Sequence, residues 1–288
     1  MTLPAFQLLQ PKTLDEALDM LSAGGSVRPI AGGTNLIPDL RKGMDAAGIL
    51  VDVSNLAELC CIRRKDGHLL IGGGVKIVEL LDDPMIAEDA PVLGEMAQSF
   101  ANALIRNRAT IGGNLVNAAP CCDSAPALLA LDAEVELSSA VGVRQLPLAD
   151  FLIDAFTTER RSNELLTCVR VPIPPKPSYG GFVKMGLRKI SCMAKIDVAV
   201  MVEANGDGTC TSARIALSAV SPVAYRARAA EEYLAGRALA GETIREVARL
   251  AGASARPREG SEYKLQVVQA LAKRLLEGIG ERIAGSES

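Results

Sequence analysis

The sequence predicts an α+β chain in three parts: two small α/β units, then a domain in which three antiparallel strands precede a helical bundle. Three observations predict it. Short apolar runs alternate with helical periodicity as far as Ile173. The prolines Pro172, Pro174, Pro175 and Pro177 then break both patterns. Beyond them a strong hairpin signal, Asn205-Gly206-Asp207-Gly208, is followed only by helical spacing. The expected divisions are 1–57, 58–175 and 176–288.

In the first unit Thr13 can cap a helix over Leu14–Leu21, with Glu16 completing a capping box and Gly24-Gly25 stopping it. A strand at Val27–Ala31, a tight turn at Gly32-Gly33-Thr34-Asn35, a short helix at Leu36–Arg41 and a strand at Ile49–Val53 complete it. The second unit opens with a strand at His68–Ile71 running into Gly72-Gly73-Gly74, then a helix over Val75–Leu81 ended by Asp82-Asp83-Pro84. Leu93, Met96, Phe100 and Ala103 give Ala90–Ala103 helical spacing. A helix at Ser124–Leu131 and strands at Val135–Leu137, Val143–Leu146 and Leu165–Ile173 follow. In the third part Gly181–Gly186, Lys195–Glu203 and Thr209–Val220 read as strands. Ala224–Leu234, Glu242–Ala251 and Ser261–Ile279 read as helices, the last with Leu265, Val268, Leu271, Leu275 and Ile279 on one face.

Composition removes whole classes of function. The 288 residues are 49% hydrophobic, enough for a large core, so disorder is excluded as the main description. A net charge of −3 offers no basic excess to neutralise a run of phosphates, which argues against nucleic acid. Met1–Gln10 has neither a basic start nor an apolar h-region, and no run approaches ~18 apolar residues, so the expected location is cytoplasmic without membrane insertion. The single histidine, His68, reads as a structural residue at a turn, and a Ser-His-Asp hydrolase or a His-rich metal centre would have to hang everything on it, which argues against both. Seven cysteines form no C-x-x-C unit, so no metal is assigned and the thiols read as small apolar residues.

The glycine turns at Gly32-Gly33, Gly72-Gly73-Gly74 and Gly112-Gly113 carry the functional signal, because each lets backbone amides approach an anionic group. Ile77 stands where a dinucleotide fingerprint needs its third glycine, and no Gly-Lys-Ser/Thr exists, so Gly72–Gly74 reads as a structural turn. The other two add side chains that bind a diphosphate without lysine: Thr34 and Asn35 in one, Thr110, Asn114 and Asn117 in the other. Two ordinary turns are the competing reading.

Arg28–Leu36 (RPIAGGTNL) and Arg106–Pro126 (RNRATIGGNLVNAAPCCDSAP), with Glu164–Pro172, Phe182–Arg188 and Ser261–Leu265 in order, resemble the FAD-binding medium subunit of the molybdenum hydroxylases, the xanthine and carbon monoxide dehydrogenase family. The resemblance implies two α/β subdomains of the vanillyl-alcohol-oxidase-like, PCMH-type FAD fold and a C-terminal domain with a three-stranded sheet and helices. It implies an FAD-binding electron-transfer oxidoreductase subunit. Electrons would arrive from two [2Fe–2S] clusters on a small subunit, a large molybdenum-cofactor subunit would hydroxylate the substrate, and the complex would be a dimer of heterotrimers.

Carried over residue by residue, the resemblance implies that Ile30, Ala31, Gly32, Gly33, Thr34, Asn35 and Leu36 cradle the diphosphate together with Thr110, Ile111, Gly112, Gly113, Asn114 and Asn117. Asp123 would bind on the adenosine-diphosphate side, Leu166 would meet the flavin or its linker through backbone, and Lys184 would stabilise charge gained by the ring. By the same resemblance Phe100 would be either a ring stacked on flavin or a core residue, and Met193 would fall near the flavin's reactive edge. A β-branched side chain at Gly32 or Gly113 would stand against the diphosphate. The sequence departs from the family pattern at Cys122, where serine commonly precedes the aspartate, and a thiol is the poorer donor. A self-contained flavin oxidoreductase and a non-catalytic assembly subunit are the alternative functions.

Overall fold

The computed structural model describes residues 2–188 and 192–286. The first unit is a parallel three-stranded sheet: β1 (Gln7–Leu9), α1 (Leu14–Ser22), β2 (Val27–Ile30), α2 (Leu36–Lys42) and β3 (Ile49–Asp52), in the order β1-β3-β2. Thr13 caps α1, its hydroxyl accepting from Glu16 N at 3.2 Å, while the Glu16 carboxylate accepts from Lys12 N at 2.7 Å. Two apolar clusters sandwich the sheet, one around Leu18, Leu21 and Val51, the other around Leu40 and Leu50.

The second unit comprises β4 (Ile62–Lys65), β5 (His68–Gly72), α3 (Glu79–Asp82), α4 (Pro84–Asp89), α5 (Pro91–Ser99), α6 (Ala103–Arg106), α7 (Ile111–Asn117), α8 (Ser124–Ala130), β6 (Glu134–Ser139), β7 (Gly142–Pro147), α9 (Leu148–Phe151), β8 (Leu152–Asp154), β9 (Thr157–Thr158) and β10 (Leu165–Pro172). Its main sheet is antiparallel in the order β4-β5-β10-β6-β7. His68 begins β5, its Nδ1 2.8 Å from Asp66 O.

Several expectations change here. The helix expected over Val75–Leu81 shrinks to α3, because Val75 O accepts from Ile111 N and Ile77 N donates to Ala109 O, both at 2.9 Å. Those bonds fasten this stretch to the chain before α7. Ala90–Ala103 stops at Ser99, since Phe100 is extended and Ala101 has φ +39°. Gly112-Gly113, expected as a turn, lies inside α7, whose cap is Thr110. Strands β1 and β4 are additions: β1 is three residues long, and β4 carries Arg63, Arg64 and Lys65 at a sheet edge, so neither shows the apolar alternation of a half-buried strand.

The C-terminal part has β11 (Ser178–Met185), β12 (Ile196–Ala204), β13 (Cys210–Ser218), β14 (Tyr225–Arg226), α10 (Arg228–Leu234), α11 (Gly241–Ser254) and α12 (Tyr263–Ser286). The expected three-stranded sheet has a fourth, two-residue strand, because Tyr225 and Arg226 pair with Leu217 and Ala216 before α10 begins. Strand β12 is buried along almost its whole length. Ile196, Val198, Val200 and Val202 belong to the core formed with the helices, whereas Ala199 and Met201, pointing the other way, join the second unit's core. On the edge strand β11, the Glu95 carboxylate accepts from Phe182 N at 2.7 Å and Arg282 donates to Gly180 O at 2.6 Å, so side chains satisfy backbone groups that a neighbouring strand would otherwise take.

Close backbone approaches lock the glycine segments. A Cβ on Gly73 would stand 2.1 Å from Leu166 O, and one on Gly72 2.1 Å from Leu59 O. Gly73→Ala should therefore destabilise the chain by about 2–4 kcal/mol, whereas Gly278→Ala, within α12 and with open space around its Cβ, should stabilise it by about 0.5–1 kcal/mol. Denaturant unfolding of the two variants beside the parent checks both signs.

Candidate functional site

The first glycine loop bridges β2 and α2. Gly33 has φ +67°, a left-handed conformation that suits glycine, and its carbonyl accepts from Ile37 N at 3.1 Å. Among the described residues, the backbone amides of Gly32, Gly33 and Thr34 donate to no backbone acceptor. Unpartnered amides in a half-exposed turn are the group expected of an anion cradle.

The second loop is built differently. Gly112 N donates to Gly73 O at 3.0 Å, Gly113 N to Thr110 Oγ1 at 3.1 Å, and Asn114 N to Thr110 O at 3.0 Å. Its amides are committed within the protein, so side chains must supply what this loop offers outward. Asn114 Oδ1 accepts from Ser124 Oγ at 2.5 Å and from Cys122 Sγ at 3.1 Å. That network turns the carboxamide's Nδ2 donors away from Cys122 and Ser124.

The loops touch. A Cβ on Gly32 would lie 1.9 Å from Arg108 O, and one on Gly112 2.6 Å from Gly73 O. A β-branched residue at Gly32 therefore collides with the backbone before α7, and at Gly113 it meets Thr110 Oγ1 at 2.8 Å. Both positions are therefore closed to a β-branched side chain by the protein itself, whatever ligand lies beyond them. Gly72–Gly74, read as a structural turn, is the support against which α7 is set.

Lys184, on β11, donates from Nζ to Asp123 Oδ2 at 2.7 Å, with side chains 4% and 8% exposed. The two residues that the resemblance assigns to different parts of the cofactor form one buried ion pair. Phe100 is 7% exposed and packs within the second unit's core, and Leu166 is buried in β10 with its carbonyl against Gly73. Ile30 and Leu36 pack around Leu40, Ile111 is fully buried, and Asn117 is half-buried at the last residue of α7. Met193 is exposed, and Ser191 of the same segment lies outside the described residues.

Three groups at the site escaped the sequence reading. Ser124, whose hydroxyl holds Asn114, is also within 3.6 Å of Cys122 Sγ. Ser218 Oγ donates to Pro120 O at 3.1 Å, tying β13 to the turn that carries Asp123. Asp197 is fully buried on β12 directly across from Lys184 in the strand register. Its signal was available: it is the one charged residue in the apolar run Ile196–Val202. Burial raises the Asp123 carboxyl, with Lys184 opposing, and raises that of Asp197 well above the usual carboxylate range.

Among the described residues, no group of three or more His, Cys, Asp or Glu side chains is placed to hold a metal ion, and no helix is long and apolar enough to cross a membrane. Burial pushes the Cys122 thiol up to about 12, so at pH 8 it stays in the unreactive protonated form. Alkylation of the native chain at pH 8 should leave Cys122 unmodified and label it after denaturation, as peptide mass mapping would show. Labelling of the native protein would mean that the Asn114 network is open to solvent.

Residues 4–174 match the FAD binding domain in molybdopterin dehydrogenase, and residues 182–279 match the CO dehydrogenase flavoprotein C-terminal domain. The chain is 31% identical over 278 residues to the 6-hydroxypseudooxynicotine dehydrogenase complex subunit alpha of Paenarthrobacter nicotinovorans, covering 95% of this chain and 94% of that one. It is 29% identical over 286 residues to the carbon monoxide dehydrogenase medium chain of Hydrogenophaga pseudoflava, covering 98% and 99%. Among solved structures, carbon monoxide dehydrogenase from Hydrogenophaga pseudoflava superposes with TM-score 0.93 at 30% identity, over 98% and 99% of the two chains. Quinoline 2-oxidoreductase from Pseudomonas putida superposes with TM-score 0.92 at 29% identity, over the full length of both.

Proposed function

The chain belongs to the FAD-binding subunit family of the molybdopterin dehydrogenases, and on that premise we propose that it is the electron-transfer flavoprotein subunit of a multi-subunit molybdenum hydroxylase. It is an oxidoreductase component and is not expected to hydroxylate substrate alone. The reading extends to a large subunit with the molybdenum cofactor and a small subunit with two [2Fe–2S] clusters, in a dimer of heterotrimers located in the cytoplasm. Relatives described as medium chains and complex subunits support it, because those words denote parts of larger assemblies.

The residues present fit FAD. The observation that carries this is the amide row at Gly32, Gly33 and Thr34, left without backbone acceptors in a loop that lies against Arg108, just ahead of the helix bearing Asn114. When bound, FAD supplies two-electron chemistry that can be loaded one electron at a time from iron–sulfur clusters and unloaded to an external acceptor.

The chain's part is to bind, orient and set charge. Gly32–Asn35 would donate backbone hydrogen bonds to the diphosphate, with Ile30, Ala31 and Leu36 shaping the turn. Thr110, Asn114 and Asn117 would add side-chain contacts, and Ile111, Gly112 and Gly113 would hold them at the required height. Asp123 and Lys184 would present a compensated pair to the cofactor, and Leu166 and Phe100 would back it. The assembly-subunit alternative drew only on Cys122, and its thiol holds Asn114 in the network that serine would join.

The purified chain should release FAD near one per chain on denaturation, identified by its absorption spectrum and chromatography. Asn114→Ala removes a donor to a charged group and should weaken FAD binding about tenfold or more, ~1.5–3 kcal/mol. A folded chain that neither carries nor binds FAD, alone or with its partners, overturns the assignment.

A further inference from the structure

Behind the Lys184–Asp123 pair lies a second carboxyl with no donor of its own. Both oxygens of Asp197 and Oδ1 of Asp123 are buried without a hydrogen-bond partner. The two side chains nevertheless lie within hydrogen-bonding reach of each other. If both were ionised, two carboxylates would face one another in a dry site with a single ammonium, bonded to Asp123, to offset both, leaving three acceptor oxygens without donors. One proton removes the conflict.

We propose that Asp197 holds that proton as a carboxylic acid donating to Asp123 Oδ1, and thereby positions Asp123 for its ion pair with Lys184. Asp197 is a positioning residue: it acts through Asp123 and Lys184 and, by the FAD reading on which this inference rests, through them on the cofactor. With the proton in place the three side chains sum to zero charge. Without it the cluster carries one negative charge beside a site meant for an anionic ligand.

The neighbours support the assignment from every side. Lys184 stands across the β11–β12 register, and Ser218 stands across from Asp197 on β13, its hydroxyl donated to the carbonyls of Pro120 and Cys122. The turn before α8 contributes Asp123 and Cys121, and the β11–β12 connection contributes Cys192. Glu95 of α5 is engaged by Phe182 N, and Lys264 of α12 donates to Ala219 O, so neither is committed to Asp197. Burial is the largest influence on the Asp197 carboxyl and the facing Asp123 the next, both favouring the protonated form.

A carboxyl that keeps its proton when folded, but has lost it when unfolded above pH ~4, makes the folded state bind more protons than the unfolded. Stability then falls as pH rises from ~4 toward the folded value. Asp197→Asn, which imitates the neutral acid and carries no titrating proton, escapes that loss.

The test uses the full chain, with and without FAD. Melting wild type and Asp197→Asn at pH 5, 6, 7 and 8 should give a Tm advantage to the asparagine variant that widens with pH. A gap that does not change with pH overturns the proposal. Infrared spectra at pH 7 should show a protonated-carboxyl band in wild type that Asp197→Asn abolishes. Its absence from wild type, or its survival in the variant, overturns the proposal without requiring any variant to bind FAD. FAD titration then compares Asp197→Asn, expected within about twofold of wild type, with Asp197→Leu, expected about tenfold weaker because Asp123 Oδ1 loses its donor. Equal affinities for the two variants count against positioning. Failure of the wild-type chain to bind FAD would instead remove the cofactor reading and leave the proton assignment to the infrared and melting results. Should Asp197→Leu not fold, wild type and Asp197→Asn still decide the matter.

Discussion

Backbone pressed against backbone at glycine is the constraint on which the rest of the structure depends. Gly73 lies against the Leu166 carbonyl, Gly112 lies against Gly73, and Gly32 lies against the Arg108 carbonyl, each with less room than one methyl group requires. These contacts stack strand β10, the turn after β5, helix α7 and the loop after β2 in sequence. Glycines in such a stack lose more conformational entropy on folding than other residues, offset by hydrogen bonds such as Gly112 N to Gly73 O. The two halves of the candidate diphosphate site belong to different units of the fold, one after a strand of the first sheet and one in helix α7 of the second unit, and this stack brings them together.

Given that scaffold, the two loops divide the work. The first keeps its amides free and is held by Gly33 in a left-handed turn. The second spends its amides on the scaffold and works through Asn114, oriented by Ser124 and Cys122. The cysteine that departs from the family's serine is thus absorbed locally. Its thiol is buried and protonated, and the adjacent hydroxyl makes the shorter contact.

The C-terminal domain reaches the site through one strand buried on both faces. Alternation along β12 sends valines to the helical core and Ala199 and Met201 to the FAD domain's core, so the two domains share a sheet as a common wall. Asp197 occupies the end of the row facing the FAD domain, where the wall meets the turn bearing Asp123. There the charge of Asp123 is compensated by Lys184, which lies across from Asp197 on the neighbouring strand.

The sequence by itself determined most elements and the residue types at the candidate site. Thr13 with Leu14–Leu21, the Val27–Ala31 strand before Gly32-Gly33, and the hairpin at Asn205–Gly208 follow from capping, periodicity and turn chemistry, which act over a few residues. Tertiary structure decided what those rules cannot reach. Val75–Ile77 lost its helix to hydrogen bonds with residues more than 30 positions away, and Tyr225–Arg226 became a strand because an existing edge was there to pair with. Only folding shows that the second loop's amides are spoken for, or that a lysine and two aspartates widely spaced in the chain share one dry pocket. Local propensity depends on neighbours along the chain, whereas the protonation and pairing of a buried charge depend on neighbours in space.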